Sequence, residues 1–170
     1  MAVILAAGES ARLRSLTSDP KCLLHVDGRT LLEWHLSHFQ TLGISEICVV
    51  VGYKQEQIRE VLQSYLDRFS IKFVENNDYR NLGCGYSLWA GLQHVTGDVV
   101  IFDADVLYRC EILGDFLEND VKDLILVGPG KNSDLECTKT LTDSNGRVLR
   151  FIEKRALTSH ELSEFNFLGE

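Results

Sequence analysis

Residues 2–13 read AVILAAGESARL, an apolar run followed by a loop of small and polar residues. The run Ala2–Ala6 has the composition of a buried strand and is too short to cross a bilayer. Gly8 can adopt the angles of a tight turn, and successive N–H groups of such a loop can face phosphate oxygens, while Arg12 and Lys21 add positive charge. Because open α/β sheets bind ligands at the carboxyl ends of their strands, the sequence predicts a phosphate-binding loop here.

Beyond this loop, short β-branched runs alternate with amphipathic stretches, a pattern that predicts an α/β fold built from βαβ units. We expect a Rossmann-like, mostly parallel sheet with helices on both faces. The predicted strands are 2–6, 46–51, 71–74, 98–102 and 123–127, and the predicted helices are 30–42, 55–66, 86–95 and 111–117.

Two of these elements carry predictions about burial. The strand at 98–102 is apolar from Val99 onward, which is typical of a strand buried on both faces. In the helix at 55–66, five apolar residues recur at helical spacing and are predicted to face the core. They are Ile58, Val61, Leu62, Tyr65 and Leu66.

The C-terminal part of the chain has a different pattern. Asp143-Ser144-Asn145-Gly146 separates two alternating segments, which predicts an antiparallel hairpin outside the parallel sheet. We expect one domain over 1–170, with the parallel-sheet core at 1–127 and a segment that contains the hairpin at 128–170. Residues 166–170 have the pattern of an element that is not completed, so the predicted fold is truncated at its C-terminus.

Composition narrows the class of protein. The 170 residues are 45% apolar, enough for one core, and the net charge of -8 with a pI near 5.1 disfavours nucleic acid as a partner. The sequence shows neither a membrane-spanning run nor a basic region typical of a signal peptide. Five scattered cysteines without a CxxC pair fit a reducing compartment. The sequence therefore predicts a cytoplasmic protein.

The run Leu5–Leu24 resembles the signature of the nucleotidyltransferase superfamily with a GT-A-like fold. This superfamily includes sugar-1-phosphate nucleotidyltransferases and phosphocholine cytidylyltransferases of the bacterial LicC type. Its pattern is Leu-Ala-Ala-Gly-x-Gly-x-Arg-Leu followed by Pro-Lys-x-Leu, and here Ser10 replaces the second glycine. Val49–Tyr53 resembles the second strand of the family, and 76–89 resembles the base-recognition segment of its cytidylyltransferase branch.

The resemblance implies that 1–127 is a nucleotide-binding core and that 128–170 is a hairpin and acceptor-side segment. It also implies which residues contact the nucleotide. They are Leu5, Ala6, Ala7, Gly8, Glu9, Ser10, Arg12, Lys21, Asn76, Gly85 and Ser87. Ser87 has an alternative interpretation, because its hydroxyl could cap the backbone at the start of a helix.

Asp103 and Asp105 follow a predicted strand, at the same edge of the sheet as the phosphate loop. Mg²⁺ prefers oxygen ligands and is usually held by one or two carboxylates together with substrate phosphates. Asp105 matches the metal-binding aspartate of the family. Asp103 would either bind the metal itself or support Asp105 without touching the metal. The alternative is a strand that ends in solvated acids.

The implied reaction is transfer of a nucleoside monophosphate, with CMP from CTP favoured, to a small phosphorylated acceptor such as phosphocholine. Pyrophosphate would leave. Lys21 would stabilise charge at the reacting phosphorus, Arg12 would hold the pyrophosphate, and Asp105 would bind magnesium.

Residues that could bind the acceptor are predicted from the chemistry of their side chains. Aromatic rings attract a quaternary ammonium group, which makes Tyr86, Trp89 and Tyr108 candidates, although core packing is favoured for Trp89. Lys139, like Lys54, is compatible with a phosphate contact, but a solvated surface lysine is the default expectation. His35 and His38 share one helix face and are expected at the surface or partly buried.

Two alternatives stay open at this point. One is a sugar-1-phosphate nucleotidyltransferase. The other is a non-catalytic nucleotide-binding or regulatory domain, since relatives continue beyond Glu170 into a strand that carries a second metal-binding aspartate. An exposed edge of the sheet would also allow a homodimer.

Overall fold

The computed structural model describes residues 1–9, 13 and 15–169, which form two compact units, Met1–Leu117 and Glu118–Glu170. Among the described residues, none of the helices combines the length and the apolar character that crossing a membrane requires.

The first unit alternates strands and helices as predicted. Its elements are β1 (Ala2–Ala6), a 3-10 helix (Lys21–Leu23), β2 (His25–Val26), β3 (Arg29–Thr30), α1 (Leu31–Thr41), β4 (Glu46–Val51), α2 (Gln55–Gln63), β5 (Ser70–Glu75), α3 (Cys84–Leu92), β6 (Val100–Asp103) and α4 (Cys110–Leu117). The four long strands form a parallel sheet in the order β5-β4-β1-β6. The predicted α/β fold with a parallel sheet is confirmed.

Helices cover both faces of this sheet because side chains alternate along each strand. Ile4 of β1 packs in one cluster with residues of α1, α2 and α4, whereas Val3 packs in another cluster with Ala90 of α3. Both strand residues are fully buried. The prediction of helices on both faces is confirmed.

Two predictions about burial in this unit are wrong. β6 is an edge strand that pairs only with β1 in the described sheet, so Ile101 is 44% exposed and the strand is not buried on both faces. Leu66 is also exposed, because α2 ends at Gln63 and the chain loses its helical phase there, while Ile58 and Leu62 are fully buried as predicted.

The second unit contains the predicted hairpin. It comprises β7 (Lys139–Thr142), β8 (Val148–Ile152), α5 (Ser159–Glu164) and β9 (Asn166–Leu168), with an antiparallel sheet in the order β8-β7-β9. At the turn, Asp143 Oδ1 accepts hydrogen bonds from the backbone N–H groups of Asn145 and Arg147, and Gly146 has a φ of 79°. The segment at 166–170 contributes β9.

The predicted strand at 123–127 is absent from the described structure. Its residues Leu124, Ile125 and Leu126 are exposed and join no sheet. A short apolar run forms a strand only where a neighbouring backbone accepts and donates its hydrogen bonds, and the sheet of this unit is built from β7, β8 and β9 instead.

Candidate active site

A small cleft opens at the carboxyl edge of β1 and β6. It is lined by Leu5, Ala6, Gly8, Pro20, Lys21, Cys22, Ala104 and Asp105. The two strands hold this edge in register, since Leu5 lies opposite Asp103 and the N–H of Ala104 donates to the carbonyl of Leu5 at 3.3 Å. The phosphate loop and the acidic strand end therefore border one cleft.

Lys21 and Asp105 form an ion pair in this cleft. Lys21 Nζ lies 2.8 Å from Asp105 Oδ2, and the two side chains are 28% and 37% exposed. Lys21 opens the 3-10 helix directly after the buried Pro20, and Asp105 lies just beyond the end of β6. Two sequence segments that were predicted to meet are thus in direct contact.

Cys22 lines the cleft beside this ion pair. Burial raises the pKa of its thiol to about 12, so the sulfur stays protonated at neutral pH.

The predicted base-recognition residues lie where β5 ends and α3 begins. Asn76 is buried, and its Nδ2 donates to Ser87 Oγ at 3.0 Å and to the carbonyl of Leu82 at 3.4 Å. Its Oδ1 accepts from the N–H of Asp78, which fixes the amide orientation. Ser87 is not the N-cap of α3, since Gly83 occupies that position, so the capping interpretation is wrong.

The predicted phosphate loop and the predicted base-recognition segment are neighbours. A Cβ on Gly52 would lie 2.9 Å from the carbonyl oxygens of both Ala7 and Asn76, which places these backbones side by side. Farther out, Glu9 of the phosphate loop pairs with Arg80 at 2.8 Å. Sequence reasoning missed Arg80, because a contact between two loops leaves no periodic signal.

The turn after β4 also contacts the segment that precedes Lys21. The hydroxyl of Tyr53 donates to the carbonyl of Ser18 at 2.9 Å, and Lys54 Nζ donates to Ser18 Oγ at 3.0 Å. The resemblance of Val49–Tyr53 to the family marked this turn but did not predict these contacts. Ser10 and Arg12, both predicted to bind phosphate, lie outside the described residues.

Comparison with known proteins agrees with this geometry. Residues 2–134 match the MobA-like NTP transferase domain. The chain belongs to this family. The resemblance inferred from the signature loop is confirmed.

Three proteins that are similar in sequence to this MobA-like domain are nucleotidyltransferases. CTP:phosphoglutamine cytidylyltransferase of Campylobacter jejuni is 30% identical, over 99% of this chain and 70% of its own length. Choline-phosphate cytidylyltransferase of Streptococcus pneumoniae is 35% identical over 61% of this chain and 44% of its own length. UTP--glucose-1-phosphate uridylyltransferase AglF of Haloferax volcanii is 32% identical over 72% of this chain and 49% of its own length.

A solved structure supports the fold. The inositol-1-phosphate CTP transferase from T. maritima superposes with a TM-score of 0.74 at 24% identity, covering 99% of this chain and 66% of its own. The chain spans only a quarter to a half of the length of the curated relatives first matched.

The MobA-like domain presents an exposed aromatic pair near the base segment. Tyr86 and Trp89 are 39% and 56% exposed, with ring centroids 5.4 Å apart, because α3 buries Ser87, Ala90 and Gly91 instead. The expectation of core packing for Trp89 is therefore wrong. Gly85 lies in the first turn of α3, with open space where a Cβ would stand.

Tyr108 belongs to a buried aromatic cluster. Its hydroxyl lies 2.9 Å from His35 Nδ1, and its ring stacks on Phe102. His35 and His38 were expected at the surface or partly buried, but both are buried, because α1 packs these rings against Tyr108. Burial lowers the pKa of His35 to about 4, so this histidine is neutral at pH 7.

Lys139 lies in the second unit and is fully buried there. Its Nζ donates to the backbone carbonyls of Asp134 and Cys137. The default expectation of a solvated surface lysine is wrong, since these carbonyls replace water around the ammonium group.

The described residues contain no group of three or more His, Cys, Asp or Glu side chains that could hold a metal ion alone. Asp105 lines the cleft with its carboxylate, and Asp103 is the last residue of β6, at the same edge of the sheet. Such a donor set fits Mg²⁺, which takes one or two protein carboxylates and completes its shell with water and substrate phosphates.

Proposed function

We propose that this chain transfers a nucleoside monophosphate, CMP from CTP, to a small phosphorylated acceptor and releases pyrophosphate. One observation carries the proposal: Lys21 and Asp105 lie 2.8 Å apart in a cleft bordered by the small residues Ala6 and Gly8. Membership of the MobA-like family supports the reaction class.

The cleft has the chemistry that a triphosphate needs. Ala6, Ala7 and Gly8 allow phosphates to approach the backbone closely, and Lys21 supplies positive charge. Arg12 would add a planar cation for the departing pyrophosphate. Magnesium bound with the triphosphate would neutralise phosphate charge, and Asp105, with Asp103 beside it, would supply the protein ligands.

Catalysis then consists of positioning and charge stabilisation. An oxygen of the acceptor phosphate forms a bond to the α-phosphorus, and the bond from that phosphorus to the bridging oxygen of the β-phosphate breaks. Lys21 stabilises the charge on the phosphorus oxygens during this exchange. The reaction needs no protein nucleophile, which agrees with the protonated state of Cys22.

CTP is the proposed donor because two of the named relatives are cytidylyltransferases. The Asn76–Ser87 pair would lie beside the pyrimidine, with Gly85 leaving space for the ring. Ser87 Oγ already accepts a hydrogen bond from Asn76, so its own hydroxyl hydrogen is available to a base acceptor such as N3 of cytosine.

The proposed acceptor is phosphocholine or a related phosphate or phosphonate. The exposed rings of Tyr86 and Trp89 suit a quaternary ammonium group. Tyr108 and Lys139 are weaker candidates, since each polar group has a partner within the protein. A cytoplasmic location and a homodimer stay predictions from the sequence.

A sugar 1-phosphate is the second candidate acceptor. It is favoured by the similarity to the glucose-1-phosphate uridylyltransferase of Haloferax volcanii. A pyrophosphate-release assay with four nucleoside triphosphates, against phosphocholine and glucose 1-phosphate, decides between the two acceptors. Titration calorimetry with CTP and Mg²⁺ tests for the non-catalytic alternative, because a binding module would bind without releasing pyrophosphate.

Substitution of the ion pair tests the mechanism. Lys21→Ala and Asp105→Ala should each lower kcat by at least about 100-fold, because each removes charge stabilisation at the reacting phosphates. The controls Lys72→Met and Asp67→Ala change exposed charges elsewhere in the same unit and should retain activity. Normal turnover of either ion-pair variant would show that its residue takes no part in the mechanism. Full activity in EDTA would show that the reaction does not require magnesium.

A further inference from the structure

We propose that Tyr53 and Lys54 are positioning residues that hold the segment in front of Lys21 and thereby set the place of its ammonium group. The proposal rests on the proposed function, since it acts through Lys21. The juxtaposition that carries it is the turn between β4 and α2 lying against Ser18 and Asp19.

Three contacts join this turn to the loop. The Tyr53 hydroxyl donates to the carbonyl of Ser18 at 2.9 Å, and Lys54 Nζ donates to Ser18 Oγ at 3.0 Å. Lys54 Nζ also lies 3.8 Å from a carboxylate oxygen of Asp19. One backbone group and two side chains of the loop are therefore held from one side.

The turn itself is fixed to the sheet. The N–H of Tyr53 donates to the carbonyl of Ala7 at 3.1 Å, and the ring of Tyr53 packs edge-on against Tyr79 with centroids 6.2 Å apart. Lys54 is the N-cap of α2 and has a φ of 46°, a left-handed conformation. A turn held by Ala7, the residue after β1, and by Tyr79 of the base segment is a rigid support.

The path from this support to Lys21 is short and stiff. Asp19 donates its N–H to Thr17 Oγ1 at 3.0 Å, and Pro20 has a restricted φ. Pro20 then accepts from the N–H of Leu23 at 2.9 Å, which closes the 3-10 helix that begins at Lys21. A displacement of Ser18 or Asp19 is therefore passed on to Lys21.

The consequence is catalytic, because a misplacement of about 1 Å of a catalytic group can cost up to about 100-fold in rate. Lys54 was compatible with a direct phosphate contact by sequence. Its ammonium group instead meets Ser18 and Asp19, which favours a supporting role.

The test uses the full chain with three substitutions. Tyr53→Phe removes one hydroxyl and keeps the ring, Lys54→Met removes the charge and keeps the stem, and Lys54→Arg restores a cation. Tyr65→Phe and Lys72→Met are matched controls. The Tyr65 hydroxyl bonds to Glu33, and neither control residue contacts the phosphate loop in the described structure.

We expect Tyr53→Phe and Lys54→Met to lower kcat by about 3- to 10-fold, the value of one hydrogen bond, with KM for CTP and acceptor unchanged within about twofold. Lys54→Arg should recover most of the rate. In a Lys21→Arg background the same substitutions should have less effect than in the wild type, because they act through the residue at position 21. Amide exchange at Leu23 and Leu24 should become faster.

Each result decides the proposal. A normal kcat in Tyr53→Phe and Lys54→Met, or effects fully additive with Lys21→Arg, would overturn it. A rise in KM for the acceptor alone would overturn it in favour of a direct ligand role. Wild-type chain without turnover on any acceptor would instead defeat the proposed function, and this inference would fall with it.

Discussion

Gly52 is the residue at which three parts of the candidate site meet. A Cβ at this position would lie 2.9 Å from the carbonyl oxygen of Ala7, from that of Asn76 and from Cδ1 of Tyr79. Two of these atoms belong to backbone that is held in or beside the sheet, so they cannot move aside as a flexible side chain could. The absence of a side chain at Gly52 allows the phosphate loop and the base segment to approach each other.

Gly52→Ala should therefore destabilise the protein by about 1–3 kcal/mol, the usual cost of overpacking a tight site, and weaken CTP binding. Urea unfolding and titration calorimetry measure the two effects. Gly114→Ala is the matched control, since its nearest neighbour is a Leu42 side-chain atom at 3.6 Å and alanine is the better helix former in α4. Equal stability of the two variants would contradict this account of Gly52.

At the same scale, the sequence predicted that Lys21 and Asp105 lie near each other. The signature loop of Lys21 follows one strand, Asp105 follows another, and parallel strands end at one edge of the sheet. It did not predict Arg80 against Glu9, because such a pair depends on the path of two loops. The exposure of Trp89 is not predictable from composition, which favours burial of tryptophan, because the buried side of α3 is set by the residues that face the sheet.

At the scale of elements, β1 and β4 were predicted at their observed bounds because β-branched runs with clear ends have few alternatives. The run 123–127 has similar composition, yet it forms no strand, since strand formation depends on a partner that local sequence does not reveal. The hairpin was predictable because Asp143 and Gly146 satisfy its turn locally.

The start of α5 has a built-in dependence on pH. Glu161 accepts hydrogen bonds from the side chain of Arg155 and from the backbone and hydroxyl of Thr158, which lower the pKa of its carboxyl to about 2. A carboxyl with a depressed pKa stabilises the fold above its unfolded pKa, and this stabilisation is lost as pH falls from about 4.5 to about 2.

Glu161→Gln should accordingly reduce the loss of stability on acidification. Urea unfolding followed by circular dichroism at about pH 6 and about pH 3 measures that loss. Glu164→Gln, an exposed residue of the same helix, should behave like the wild type. The account of this cap would be wrong if both variants lost stability as the wild type does.

For the whole molecule, the described lining of the cleft comes entirely from Met1–Leu117. A ligand bound there stabilises the folded state of this unit by mass action, whether or not an acceptor is present. Thermal unfolding with CTP and Mg²⁺ therefore tests binding without requiring turnover.

CTP at about 100 times its Kd, with Mg²⁺, should stabilise the wild type by about 2.7 kcal/mol and raise its unfolding temperature. Lys21→Ala and Asp105→Ala should show a smaller shift, because each removes part of the charge that holds the metal-bound triphosphate. UTP at the same concentration should also give a smaller shift if the Asn76–Ser87 pair selects cytosine. If CTP raises the unfolding temperature of Lys21→Ala as much as that of the wild type, the triphosphate binds outside this cleft.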